Sequence, residues 1–402
     1  MQINVELNQL TIDMLASIPD PYPIYEKLRE VGSVYWSEQM RVWLLADYHD
    51  VVAVGKDTKN FTAQPDWPHL FGEYAPELRQ HTACMSKWLN FLDPPHHQPA
   101  QSLFLKAFYP DKVKARCQEI VPKLIDKLPK GKPIELIADF AMPLHIAAMN
   151  ELINIPVEDY PQVIQWLQDL TMVSGYTENV RDMLLRGQKG MTEIMAYLLH
   201  LISDENPAFK GYLVEEALRR NHTRKVLSDV DICAQLVVML TSGVVTIPQL
   251  IAVGVLLLHQ NPDQLNKLRQ EPRLMKSAVE EIMRYESPSQ TFRRKAIADV
   301  EMGGKLIRNG DTVVALIGSA NRDPELFPDP YRFDITRSPN KHLSLFAGPH
   351  SCVATPYVRV ITSEALSALL EYAPNLSVPE QEIKWVPNNT IARGLERLYV
   401  TC

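Results

Sequence analysis

The sequence predicts a mainly α protein with a smaller β portion (α+β), and three observations predict it. Residues 231–262, DICAQLVVMLTSGVVTIPQLIAVGVLLLHQNP, are apolar on every side and read as a buried helix rather than an amphipathic surface one. Residues 111–205 carry apolar positions at helical spacing nearly throughout, broken by a polar loop around Ser174 to Glu178. Residues 33–48 and 289–324 instead alternate like strands, the second run with Gly-Gly and Asn-Gly turns.

At 402 residues the chain is long enough for more than one average domain, yet no Ser/Gly-rich linker, charge block or repeat divides it. Residues 1–402 therefore read as a single domain. A hydrophobic content of 46% supports a sizeable core, and a net charge of -7 argues against nucleic acid as a partner. The five cysteines, Cys84, Cys117, Cys233, Cys352 and Cys402, are scattered without metal-finger spacing, which fits a reducing, cytoplasmic setting. The N-terminus lacks the basic start and apolar core of a signal peptide. No stretch is read as the roughly 20 apolar residues of a membrane helix. The expectation is a soluble monomer without a membrane anchor.

Taken in order, residues 22–31 read as a helix, residues 33–38 and 41–48 as two aromatic-rich strands, and a second helix starts at Tyr48. Residues 61–92 carry Trp67, Phe71, Trp88 and Phe91 among Pro, Gly and His with no clean period, so they read as an irregular apolar loop. Such a loop either walls a ligand pocket or caps the core, and the residues leave both open. At Asp93 the phrase DPPHHQPAQ opens a helix, with Asp93 as cap and the prolines in the first turn.

The stretch Leu345 to Arg359, LFAGPHSCVATPYVR, carries the chemistry. Gly348, Pro349 and His350 suit a tight hairpin, Cys352 follows, and a helix begins near Pro356. A sulfur just ahead of a helix start feels unpaired amides and the positive end of the dipole, which favour a thiolate and make it a candidate metal ligand. Alone, such a cysteine reads more readily as a small buried hydrophobe. Its spacing resembles the haem-binding loop of the cytochrome P-450 family, Phe-Gly-x-Gly-x-His-x-Cys-x-Gly followed by Leu-Ala-Arg, in which the cysteine is the axial ligand of iron. Here Leu345 stands at the phenylalanine, Phe346 and Ala354 at two glycines, and Tyr357-Val358 at Leu-Ala.

Further landmarks follow in family order across residues 20–400. His97 matches a histidine that faces a haem propionate, and Gln101 stands where the family has an arginine, so a charged bidentate contact is replaced by a neutral donor. Thr241-Ser242-Gly243-Val244-Val245-Thr246 resembles the Ala-Gly-x-Asp/Glu-Thr of the oxygen site. Gly243 would let a flat ligand approach, Thr246 would supply a hydroxyl, and Val245 replaces the acid. A threonine in a buried helix more often bonds its own backbone, and Pro248 should disturb the helical ladder. Glu281 and Arg284 match a Glu-x-x-Arg pair joined by a downstream arginine, Arg337, in a structural triad. Arg294 matches an arginine that pairs with a propionate. Trp67, Phe71, Trp88, Ser242, Gln290, Thr291, Thr390 and Ile391 would line the substrate pocket.

The resemblance implies the cytochrome P-450 fold, heme b (iron protoporphyrin IX), and dioxygen activation with thiolate donation. Electrons would come from a separate ferredoxin or flavodoxin-type partner. Three functions stay open: a monooxygenase oxidising an apolar or aromatic small molecule in a specialised biosynthetic pathway; a haem-thiolate enzyme of other chemistry, since the proton-relay acid is missing; or a degenerate binding module.

Overall fold

The computed structural model describes residues 6–401, leaving aside 12–13, 16–17, 75, 106–107, 109, 130, 173–179, 204–210, 373–375, 380 and 387–391. The chain opens with α1 (Tyr22–Val31), the strands β1 (Val34–Ser37) and β2 (Val42–Leu45), α2 (Tyr48–Lys56) and β3 (Phe61–Thr62). Then come α3 (Trp67–Phe71), α4 (Arg79–Met85), α5 (His97–Phe104), α6 (Pro110–Ile125), β4 (Ile134–Glu135) and α7 (Met142–Ile153). After α8 (Tyr160–Met172), α9 (Val180–Ile202) and α10 (Tyr212–Arg224), the long helix α11 (Asp229–Gln260) runs into α12 (Pro262–Gln270) and α13 (Met275–Tyr285). The strands β5 (Thr291–Ala296), β6 (Val300–Met302), β7 (Lys305–Ile307) and β8 (Thr312–Leu316) follow, then α14 (Ile317–Ala320), α15 (Thr355–Tyr372) and β9 (Tyr399–Val400).

The α-rich architecture with its smaller sheet is as the patterns predict. β1 and β2 pair antiparallel, β2 continues parallel onto β8, and the five-stranded order is β1-β2-β8-β5-β3. This sheet sits beside the helical body, whose main apolar core is organised around α11.

Helix α11 starts on a full capping box, Ser228 and Asp231 satisfying each other's exposed amides. It runs 32 residues straight through Pro248. By length and composition it meets the requirement for crossing a membrane, which corrects the sequence expectation, but most of its apolar surface is packed inside the fold.

Two local expectations are also corrected. Residues 61–92 are not irregular throughout, because α3, a 3-10 turn at Gly72–Tyr74 and α4 form within them. Asp93 does not cap α5: its carboxylate takes the Thr62 hydroxyl and the Ala63 amide instead, tying this segment to β3. The helix then begins only at His97.

Glu281 and Arg284 on α13 are both fully buried and pair in bidentate fashion at 2.7 and 2.8 Å. Arg337 reaches Glu281 at 3.3 Å, and Arg284 also donates to the carbonyls of Asn321, Pro330 and Arg332. Removing one partner of a buried ion pair leaves an uncompensated charge. Glu281→Gln should therefore lower the unfolding free energy by about 3–5 kcal/mol in urea denaturation, and a loss below about 1 kcal/mol would show that the carbonyls alone hold the arginines.

Candidate active site

The hairpin before Cys352 is set by backbone geometry. Phe346 and Gly348 have φ of 63° and 78°, and the Cys352 amide donates to the Leu345 carbonyl at 2.9 Å. A side chain at Gly348 would meet the Lys56 stem at 2.9 Å and the Gly55 carbonyl at 3.0 Å, so this glycine lets the loop lie directly on the end of α2. Thr355, the first residue of α15, donates its hydroxyl to the Cys352 carbonyl at 2.7 Å. Burial pushes the Cys352 thiol up, while the Ala354 amide, the Thr355 hydroxyl and the Arg359 charge pull it back. A bound metal would reverse that balance and take the sulfur as thiolate.

Beside the hairpin lie three candidate groups. The rings of His97 and His350 are 4.2 Å apart, and His350 Nδ1 is buried without a partner among the described residues. Burial, the Arg294 charge and His97 push His350 down to about 3 against a hydrogen bond to the Leu89 backbone, while burial and Arg294 lower His97 against a pull from Asp93. Both imidazoles are thus neutral at pH 7. Arg294 on β5 is buried, lies over the Phe292 ring, and donates to the Arg293 carbonyl at 2.8 Å. Among the described residues no carboxylate forms an ion pair with it. A buried guanidinium that the Asp93 charge reaches but that has no ion-pair partner among the described residues, flanked by two imidazoles, can receive an anion such as a haem propionate. With the Cys352 sulfur on the adjoining loop, the residues present fit haem.

Gln101, expected as a neutral donor, gives its amide to the Pro349 carbonyl at 2.9 Å and braces the hairpin from α5. On α11, Ser242 is exposed and Val245 and Thr246 are half-exposed although the helix is otherwise buried, so this face is left uncovered by protein. Thr246 donates to the Ser242 carbonyl at 2.7 Å. Gly243 faces the other way. A side chain there would meet the His145 ring at 2.8 Å, so the missing Cβ admits a helix neighbour rather than a flat ligand.

Trp67, Phe71, Trp88 and Phe91 form one aromatic cluster, with Trp67 stacked on Phe71 at 5.8 Å and Trp88 on Phe91 at 6.1 Å. Gln235 on α11 ties this segment down by accepting from the Leu89 amide and donating to the Lys87 carbonyl. Gln290 is not a lining group: its amide is committed to the Ser287 carbonyl and the Tyr25 hydroxyl and packs on Gly318. Thr291 is buried at the head of β5, opposite Leu316. Thr390 and Ile391 lie outside the described residues. The sequence reading missed Glu280, which holds Arg359 at 2.7 Å through both oxygens and takes His342 at 3.2 Å. It also missed His145, discussed below.

The fold, and the cysteine hairpin with Arg294 and two imidazoles beside it, fit a haem-thiolate class of protein. The cytochrome P450 family profile matches residues 201–353. The biotin biosynthesis cytochrome P450 of Bacillus subtilis is 32% identical, over 96% of this chain and 96% of that protein. The cytochrome P450 monooxygenase PikC of Streptomyces venezuelae is 32% identical, over 94% of this chain and 90% of its own. The crystal structure of P450BioI in complex with acyl carrier protein bearing hexadec-9Z-enoic acid superposes with a TM-score of 0.88 at 31% identity, covering 95% of this chain and 98% of that one. The chain belongs to the cytochrome P450 family, is an oxidoreductase of the monooxygenase type, and takes heme b.

Charge at position 101 is testable directly. Charge-assisted hydrogen bonds are about twice as strong as neutral ones, so Gln101→Arg should slow haem transfer to apomyoglobin. Unchanged transfer would mean that the side chain at 101 faces only the hairpin.

Proposed function

We propose that the protein oxidises an apolar or aromatic small molecule of a specialised biosynthetic pathway, as a single cytoplasmic, monomeric domain supplied with electrons by a ferredoxin or flavodoxin-type partner. The observation that carries the substrate class is the aromatic cluster of Trp67, Phe71, Trp88 and Phe91, tethered through Gln235 to the helix whose Ser242 and Thr246 are uncovered. The name of the Bacillus subtilis relative, a biotin biosynthesis cytochrome P450, supports the same setting.

In this reading Cys352 ligates the iron, and His97, Arg294 and His350 hold the propionates, with Leu345 and Gly348 shaping the hairpin. Haem, when bound, supplies dioxygen activation, with the thiolate favouring cleavage of the oxygen-oxygen bond. The chain's own work is positioning. The aromatic cluster excludes water and orients an apolar substrate, while Thr246 holds a hydroxyl hydrogen on the Ser242 carbonyl that a rotation of the side chain would redirect. Titrating the loaded protein with pathway metabolites should shift the Soret band for its substrate. Reduced protein under carbon monoxide should show the red-shifted Soret band of thiolate ligation, which Cys352→Ser should abolish; a serine variant that keeps it refutes the ligand.

Val245 favours a second reading, in which the natural reaction needs fewer delivered protons. Valine neither accepts nor donates a proton, and a positioned acid-base group typically contributes on the order of 10² to 10⁴ in rate. Val245→Asp and Val245→Glu should therefore change the ratio of product formed to reductant consumed by several-fold. If both variants fold with haem and leave that ratio and the product unaltered, position 245 is off the proton path.

A further inference from the structure

We propose that His145 and Tyr357 hold one buried water molecule against α11 beside Gly243, and that this water is the hydrogen-bond relay of a helix turn lacking an acid at Val245. The proposal rests on the reading of Thr246 given above for its catalytic half, but not for the water itself.

His145 on α7 is completely buried, and its Nε2 has no partner among the described residues. Its Nδ1 lies 3.2 Å from the hydroxyl of Tyr357, which is 1% exposed on α15. Burial holds the Tyr357 phenol well above its ordinary value and pushes His145 down to about 3, so both are neutral at pH 7. Of the two acceptors facing the Tyr357 hydroxyl, Nδ1 at 3.2 Å and the His145 carbonyl at 3.5 Å, we assign its hydrogen to the nearer, which places the imidazole proton on Nε2. The pair therefore presents one N–H donor with nowhere in the protein to go. Tyr357 stands where the resembled hairpin carries leucine, and a leucine there would leave Nδ1 without a donor as well.

The orphan donor is aimed at a particular place. A side chain at Gly243 would come within 2.9 Å of Nε2, so the ring edge rests on the backbone of α11. One residue on, the Val244 carbonyl lacks its helical donor, because the residue four positions later is Pro248 and has no N–H. A buried water needs two to four polar partners, and Nε2–H with the Val244 carbonyl supplies the first two. Gly243 and Thr246 are three residues apart and so neighbours on the helix surface, Gly243 on its buried side and Thr246 at the edge of the uncovered one. A water there sits within one turn of the Thr246 hydroxyl, and His145 and Tyr357, both buried and neutral, hold and orient it rather than supply the proton.

A crystal structure of the haem-loaded protein at a resolution that places waters decides the site: one water should bond both His145 Nε2 and the Val244 carbonyl, and should vanish in His145→Phe. Nε2 bonded to a protein atom, or in dry contact, overturns the proposal. For the relay, the ratio of product to reductant consumed should fall several-fold in His145→Phe and Tyr357→Phe, with an altered solvent deuterium effect. His145→Gln, which keeps a neutral N–H donor, should recover most of it. Folded, haem-replete variants with an unchanged ratio overturn the relay even if the water is present. If the wild type turns over no candidate substrate, the functional reading fails instead, and the crystallographic result still decides the water.

Discussion

The geometry of the site depends on a buried negative charge. Glu281 is fully enclosed, and bringing a carboxylate and two guanidinium groups out of water costs several kcal/mol each unless every polar atom is answered. Here nearly every one is. Glu281 takes Arg284, Arg337, the Asp334 amide and the Asn340 side chain, while the two arginines spend their remaining N–H groups on carbonyls between Asn321 and Arg332. An irregular segment with few strands or helices of its own is thereby fixed to α13. From it the order passes on: Asn321 accepts the Leu343 amide and donates to Ser344, Ser344 donates to the Met283 carbonyl, and Leu345 then closes the hairpin on Cys352. A second carboxylate, Glu280, grips Arg359 on the far side of the same cysteine. The loop is thus clamped from adjacent residues of one helix.

Much of this was legible in the sequence because it is written in local spacing. The α1 bounds, the β1 and β2 strands, the buried α11 and the Glu281, Arg284 and Arg337 triad all follow from period, turn residues or a short motif. What could not be read is what depends on partners far along the chain. Asp93 has the composition of a cap, yet Thr62 and Ala63 claim its carboxylate. Gln290 looks like a pocket residue next to a strand start, but it is buried and Tyr25 and Ser287 take its amide. Gly243 suggests open backbone over a ligand, whereas the space its missing Cβ leaves belongs to His145, almost a hundred residues earlier. Glu280 had a visible signal, an acid beside the motif glutamate, whose direction only the helix phase reveals.

Position 101 shows how the site handles a lost charge. With glutamine there, Arg294 is the guanidinium whose field reaches the pair of histidines among the described residues, and it helps keep both imidazoles neutral. Neutral imidazoles remain good donors while adding no repulsion to a buried cation. Gln101 meanwhile contributes rigidity by holding the Pro349 carbonyl. In the proposed reading an anion here would meet one charge and neutral dipoles rather than several charges, which lowers the desolvation cost of keeping the site formed.

The same economy runs through α11. A helix buried this completely should be continuous and apolar, and for most of its length it is. At its centre, however, a proline removes one backbone donor, a threonine returns its hydroxyl to a carbonyl, and a glycine lets a polar ring press in from α7. Each departure alone is tolerable in a buried helix. Placed within six residues and opposite an apolar Val245, they make the turn locally polar without placing any charge on it. Polarity has moved from the helix to its neighbours, and any hydrogen-bonded path through this turn must pass through backbone, hydroxyl and imidazole groups instead of a carboxylate.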